Sequence, residues 1–134
     1  MRVLVADDES LSRAGLVKLV EDRGHEVVGQ ARDGFEALEQ ARALRPDAVV
    51  LDARVRRCNG LEATRLIRAE LSETSIVLVA AEDEGDELLE TLRSEVDSYV
   101  PKDRLAEELA RVLDALAEAR RLDRFATPAR KEKR

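Results

Sequence analysis

With 134 residues, 44% of them hydrophobic and only 2% aromatic, the chain has room for one compact domain with an aliphatic core and none for a second folded module. Its net charge of −6 divides unevenly: residues 1–118 hold 16 basic and 27 acidic groups, a net −11, whereas Ala119–Arg134 holds seven basic and two acidic, a net +5. An acidic body argues against nucleic acid as a partner of the folded part, since phosphate contacts need a basic surface. No apolar run reaches bilayer length and no leader follows Met1, which predicts a soluble, cytoplasmic protein without a membrane partner.

Five short apolar or β-branched runs alternate with stretches of helical periodicity. RVLVA (2–6) is the first predicted strand, and Ser10 opens a helix over 10–22 that ends before Gly24. His25, the only histidine, leads into EVVGQ (26–30) and reads as a surface residue at a strand start. Asp33 opens a second helix over 33–44, and Pro46 marks its stop. AVVL (48–51) runs into Asp52, after which a basic loop reaches Gly60 and a helix over 60–70. Cys58 in that loop has no partner for a disulfide and no metal-ligand spacing, so it reads as a space filler. SIVLVA (75–80) precedes a helix over 84–94, and SYV (98–100) precedes one from 103 to about 122, opened by Asp103. Residues 121–134 follow as a basic helix extension or linker tail, with TPARKEKR too polar to pack.

Strands apolar on both sides, alternating with amphipathic helices, predict an α/β fold: a doubly wound five-stranded parallel sheet, flavodoxin-like, in strand order 2-1-3-4-5. All strands of such a sheet finish at one edge, which brings together Asp7, Asp8, Asp52, Ala80 and Lys102. Three carboxylates packed this closely repel one another, and each takes up a proton unless a cation offsets it. A hard divalent ion held by oxygen ligands, Mg²⁺, suits so sparse a site, and Lys102 adds a point charge fitted to a phosphoryl oxygen. Taken singly, Lys102 reads equally as a surface lysine and Asp7 or Asp8 as a cap for the turn into the first helix. Asp52, at the exit of a buried strand, is the hardest to explain structurally.

At these positions the chain resembles the receiver domain of two-component response regulators. The motifs are VLVADDE with the pair Asp7 and Asp8, VVLDARVRRCNG with Asp52 eight residues before Gly60, and YVPKD with Tyr99 and Lys102. The resemblance covers residues 1 to about 120. It implies a signalling switch rather than an enzyme, with Asp52 taking a phosphoryl group from a histidine kinase or phosphotransfer protein. It further implies Mg²⁺ as cofactor, ligated by Asp8, Asp52 and the backbone carbonyl of Arg54, with Asp7 acting mainly through a bound water.

Four positions depart from the family pattern. Ala80 stands where Thr or Ser usually contacts the phosphoryl group and couples it to the aromatic switch residue, here Tyr99. Val55 and Arg56 replace the usual Met-Pro, and Glu95 replaces the usual Gly before the last strand. Arg54, two residues after Asp52, and Glu82, two after Ala80, are expected to flank the phosphoryl group from opposite sides. The alternative function is a degenerate receiver acting as a constitutive protein-interaction module. A haloacid-dehalogenase-type hydrolase is disfavoured, because Arg54 occupies the place of that family's second Asp.

In the last helix Leu105, Leu109, Val112, Leu116 and Ala119 form an apolar stripe for the sheet. Beyond Leu116 the helix should outrun the sheet and leave Leu122 and Phe125 to a partner helix or a second copy, a homodimer. With no DNA-binding module after the receiver, the chain reads as a stand-alone receiver or a stretch that ends in a linker.

Overall fold

In the computed structural model, which describes residues 1–58, 60–81, 90 and 95–132, five strands form one parallel sheet in the order β2-β1-β3-β4-β5. They are β1 (Arg2–Ala6), β2 (Glu26–Ala31), β3 (Ala48–Asp52), β4 (Ser75–Ala80) and β5 (Ser98–Pro101). The described helices are α1 (Ser10–Asp22), α2 (Gly34–Leu44), α3 (Gly60–Glu70) and α4 (Leu105–Glu132). This is the doubly wound, flavodoxin-like α/β fold expected from the sequence. The helix expected over 84–94 lies outside the described residues.

The three central strands are apolar on both sides because both sides are covered. Every residue of β3 is buried, as are Val3–Ala6 of β1 and Ile76–Ala80 of β4. Alternation of side chains along each strand sorts the core into two layers. Leu4, Val49, Leu51, Ile76 and Leu78 face Ala37 and Ala41 of α2 and Ile67 of α3. Val3, Val5, Val50, Val77 and Val79 face Leu16 and Val20 of α1 and Leu109 and Leu113 of α4. Leu4, Leu16, Leu78 and Leu109 are among the largest fully buried side chains, so truncating any of them to Ala costs about 2–5 kcal/mol.

Local chemistry sets where the helices begin and end. Asp33 caps α2 as expected, its Oδ1 accepting from the Glu36 N–H at 2.8 Å. Arg45 closes that helix in a left-handed conformation (φ 47°), immediately before Pro46. Ser10, in contrast, is not a cap: the N-cap of α1 is Glu9, without a side-chain cap bond, and Ser10 is the first helical residue. Asp103 is likewise no cap, for it lies within a short 3₁₀ turn, Lys102–Arg104, and α4 starts at Leu105.

α4 extends well past its expected end near residue 122. From Leu105 to Thr127 it contains neither Gly nor Pro and is rich in Ala, Leu, Glu and Arg, the strongest helix formers. Its buried contact centres on Leu109 and Leu113, flanked by the partly buried Leu105, Val112 and Leu116. The expected stripe thus omitted Leu113, and Ala119 is exposed. Arg120 still ties the helix down, donating through Nη2 to the Asp47 carbonyl (2.6 Å) and the Glu73 carbonyl. Leu122 and Phe125 are exposed.

His25 departs from its expected surface position. Its side chain is only 8% exposed, because β1 and β2 start side by side and bring Met1 onto it. The Met1 amine donates to His25 Nδ1 at 3.0 Å, while Nε2 lies 3.7 Å from Asp114 Oδ1, beyond hydrogen-bond reach. Burial, and next the neighbouring ammonium, push the imidazole below the ordinary histidine range despite Asp114.

Candidate functional site

The parallel register aligns the strand ends. Ala6 pairs with Leu51, Asp52 with Val79, and Ala80 with Pro101, so the residues leaving β1, β3 and β5 share one edge. Asp7 follows β1 directly and is fully buried; its N–H donates to the Ala31 carbonyl at 3.0 Å. Asp7 Oδ1 accepts from the Glu9 N–H at 3.0 Å, a local brace for the turn into α1. Asp8 lies beside it with its side chain 13% exposed.

Asp52 ends β3 and is 1% exposed. Its Oδ1 accepts from the Arg54 backbone N–H at 2.8 Å, and its Oδ2 lies 2.9 Å from Lys102 Nζ, just beyond β5. Burial raises the Asp52 carboxyl above the ordinary range, opposed by the Arg54 N–H and Lys102 and reinforced by the charge on Asp7. The two oxygens are thereby distinguished: one is held by backbone, the other faces an ammonium.

Arg54 occupies the middle of the acidic group. Its Nη2 donates to Asp7 Oδ1 at 3.1 Å, and its Nε lies 3.4 Å from Asp52 Oδ1 and 3.5 Å from Asp8 Oδ1. Glu9 Oε1 is 3.9 Å from Nη2. Burial works against the guanidinium's charge, but Asp52, Asp7 and Glu9 more than offset it and raise its pKa above the ordinary arginine value. The sequence places Arg54 at the rim of a phosphoryl site; the structure puts its side chain between the carboxylates. The signal was present, since three converging acids need a counter-charge and an Arg follows one of them by two residues.

Among the described residues, no three acidic, His or Cys side chains are spaced to hold a metal ion by themselves. The donor chemistry nevertheless fits a hard cation such as Mg²⁺. All the acids offer carboxylate oxygen, and Asp7 Oδ2 is buried without a hydrogen-bond partner. The Arg54 carbonyl belongs to the short 3₁₀ turn Ala53–Cys58 that follows β3.

The remaining expected residues fall as follows. Ala80 is buried at the end of β4. Tyr99 is partly buried, packs against the core layer that includes Ala80, and brings its hydroxyl to 3.4 Å from the Ala80 carbonyl. Val55 is buried in that same layer. Glu95 lies 3.6 Å from Arg65 Nε through its carboxylate. Glu82 lies outside the described residues.

Comparison with known proteins gives a consistent result. The response regulator receiver domain family model matches residues 3–114. The uncharacterized transcriptional regulatory protein YxjL of Bacillus subtilis is 32% identical over 131 residues, 97% of this chain and 60% of that protein. The response regulator MprA of Mycolicibacterium vanbaalenii is 38% identical over 128 residues, 96% of this chain and 52% of that one. Two solved structures are similar: the REC domain of AraT, a response regulator from Geobacillus stearothermophilus (TM-score 0.79, 30% identity, 92% of this chain and 97% of that), and the response regulator domain of Thermotoga maritima CheB (TM-score 0.71, 30% identity, 89% and 95%). The chain spans about half to three fifths of the length of the curated relatives it matches. With the family model covering most of its length and solved receiver domains sharing its five-stranded sheet, this chain belongs to the response regulator receiver domain family.

Proposed function

We propose that the protein is a phosphoacceptor switch in which Asp52 takes a phosphoryl group from the phosphohistidine of a histidine kinase or phosphotransfer protein. The observation that carries this reading is the Asp52 carboxylate itself, buried at a strand exit with Oδ2 2.9 Å from Lys102 Nζ. Burial makes its charge costly, which points to a carboxylate kept there for use. With Oδ1 held by the Arg54 N–H, Oδ2 is the oxygen free to attack. As the O–P bond forms, the N–P bond of the donor breaks and its imidazole nitrogen leaves with the electron pair. Lys102 neutralises charge on the phosphoryl oxygens during transfer, which is positioning and electrostatics rather than acid–base work.

In this reading Mg²⁺ would be held by Asp8, Asp52 and the Arg54 carbonyl, with Asp7 acting through a water, and would supply positive charge to offset that of the phosphoryl oxygens. The acyl phosphate then biases the surface around β5 and α4, and with it the choice of partner. Exposed Leu122 and Phe125 on α4 suit a second copy of the chain as one such partner. One observation favours the alternative of a constitutive interaction module: Ala80 has no hydroxyl to couple a phosphoryl group to Tyr99, whose own hydroxyl already reaches the Ala80 carbonyl.

The test is labelling by a small acyl-phosphate donor. Wild-type protein should take up label in the presence of Mg²⁺ and lose that ability in a chelator, and Asp52→Asn should take up none. Undiminished labelling of Asp52→Asn overturns the assignment. A wild-type chain that stays unlabelled leaves the interaction module as the better reading.

A further inference from the structure

We propose that the Arg54 guanidinium, seated among Asp7, Asp8 and Asp52 while Lys102 faces Asp52 Oδ2, is a resident cation of the acidic pocket that competes with the divalent metal for it. The inference rests on the reading that this pocket takes a divalent ion, and adds a regulatory element that the reading lacks. A single side chain approaches three carboxylates from two strand exits: Asp7 at 3.1 Å, Asp52 at 3.4 Å and Asp8 at 3.5 Å. A cation at the point these groups share would meet Arg54 within a few ångströms. Like charges at that distance repel strongly in a pocket sheltered from water.

The way Arg54 is held makes it displaceable. Its Nε is buried but makes no hydrogen bond, so attraction to Asp8 and Asp52 there is by charge rather than by directed bonding. Its directed side-chain bond in the pocket is Nη2 to Asp7 Oδ1. The side chain as a whole is 32% exposed, which gives it an outward path along its own flexible stem. Asp7 Oδ2, fully buried and aimed at no donor, shows that the guanidinium leaves the pocket's acceptors incompletely satisfied. A small ion with two charges and a shell of waters can satisfy acceptors that a planar fork with one delocalised charge cannot.

Two properties follow. Without divalent ions the carboxylates are already partly neutralised, so the pocket holds its shape. With them, binding is weakened by the work of expelling Arg54, and the 3₁₀ turn that carries it is the first backbone to respond to the metal.

The experiment uses Mg²⁺ alone, titrated calorimetrically into the whole chain as wild type, Arg54→Ala, Arg54→Gln and Asp8→Asn, with melting midpoints recorded in chelator and in Mg²⁺. The glutamine variant keeps the length of the stem, in case the alanine variant folds poorly. Both Arg54 variants should bind Mg²⁺ roughly tenfold more tightly than wild type. They should also melt below wild type in chelator and gain more than wild type from Mg²⁺. In wild type, the Arg54 Nε–H resonance should shift on adding Mg²⁺. Equal affinity in wild type and Arg54 variants, with weaker binding in Asp8→Asn, overturns the competition while leaving the metal site standing. No Mg²⁺ binding by any of the four chains overturns the divalent-ion reading, and the inference falls with it.

Discussion

Lys102 Nζ, just beyond the last strand, lies 2.9 Å from Oδ2 of Asp52 at the end of the central strand β3. The pair joins an ammonium that is one-quarter exposed to a carboxylate that is almost wholly buried, so the two partners depend on it unequally. Removing Lys102 leaves Asp52 with the Arg54 N–H and the side chain of Arg54 as its neighbours. Lys102→Met should therefore lower stability at neutral pH by about 1–2 kcal/mol, less than for a fully buried pair because solvent already screens the ammonium. The deficit should shrink on acidification as Asp52 takes up a proton. Urea melts at two pH values measure it.

Asp52→Asn should have the opposite sign. Burial raises the Asp52 carboxyl in the folded protein above the ordinary value of 3.8 that applies to the unfolded chain. The folded state therefore binds that proton more tightly, and stability drains away as pH rises through the folded pKa. At neutral pH the ionised side chain is a net cost, which the neutral amide removes. The variant should be more stable than wild type at pH 7, with the gain vanishing as pH falls toward the unfolded value. A variant less stable than wild type at pH 7 contradicts this.

His25 titrates in the other direction. Its folded pKa lies below the 6.5 of an unperturbed imidazole, because burial and the Met1 amine outweigh Asp114, with Arg23 adding a further positive charge. On lowering the pH the unfolded chain protonates first, so stability present at neutral pH is lost as pH falls from 6.5 through the folded value. Wild type should lose stability more steeply than His25→Gln across that interval. Parallel curves for the two proteins would remove His25 as the cause.

Leu122 and Phe125 lie one turn apart on α4 and are 54% and 76% exposed. If they serve a second copy of the chain, wild type should associate at high concentration in sedimentation, and Leu122→Glu with Phe125→Glu should remain monomeric. Arg121, whose guanidinium lies 6.0 Å from the centre of the Phe125 ring, is placed to shield that ring in the free chain. A wild type that stays monomeric with and without a phosphoryl mimic excludes the contact.

The sheet was legible because its signals are local. Val3 to Ala6, Val49 to Leu51 and Ile76 to Ala80 are apolar runs too short for helices, and a strand buried on both faces leaves no other pattern. The convergence of Asp7, Asp52 and Lys102 followed from strand direction alone. Features that depend on distant contacts were not legible. The burial of His25 comes from the pairing of β1 with β2, which sets Met1 upon it. Leu113 escaped the expected stripe because the width of the face α4 presents is decided by the sheet beneath it. The Arg54 side chain could have pointed to solvent or inward, and only the gathered carboxylates decide between the two.

The attachment of α4 has a mechanical consequence. The helix is seated at one place by Leu109 and Leu113 in the core and at another, further along, by Arg120 on the carbonyls of Asp47 and Glu73. A rod held at two separated points cannot swing about either one alone. Its direction relative to the sheet is fixed until one seat is released, and the overhang starts at Arg120, placing Phe125 only about 8 Å beyond its last support at 1.5 Å per residue. The second seat lies at the edge of the sheet opposite the acidic pocket, on the loops that lead into β3 and β4. A displacement of those two strands therefore reaches the overhang through Arg120, without passing through the surface beside β5.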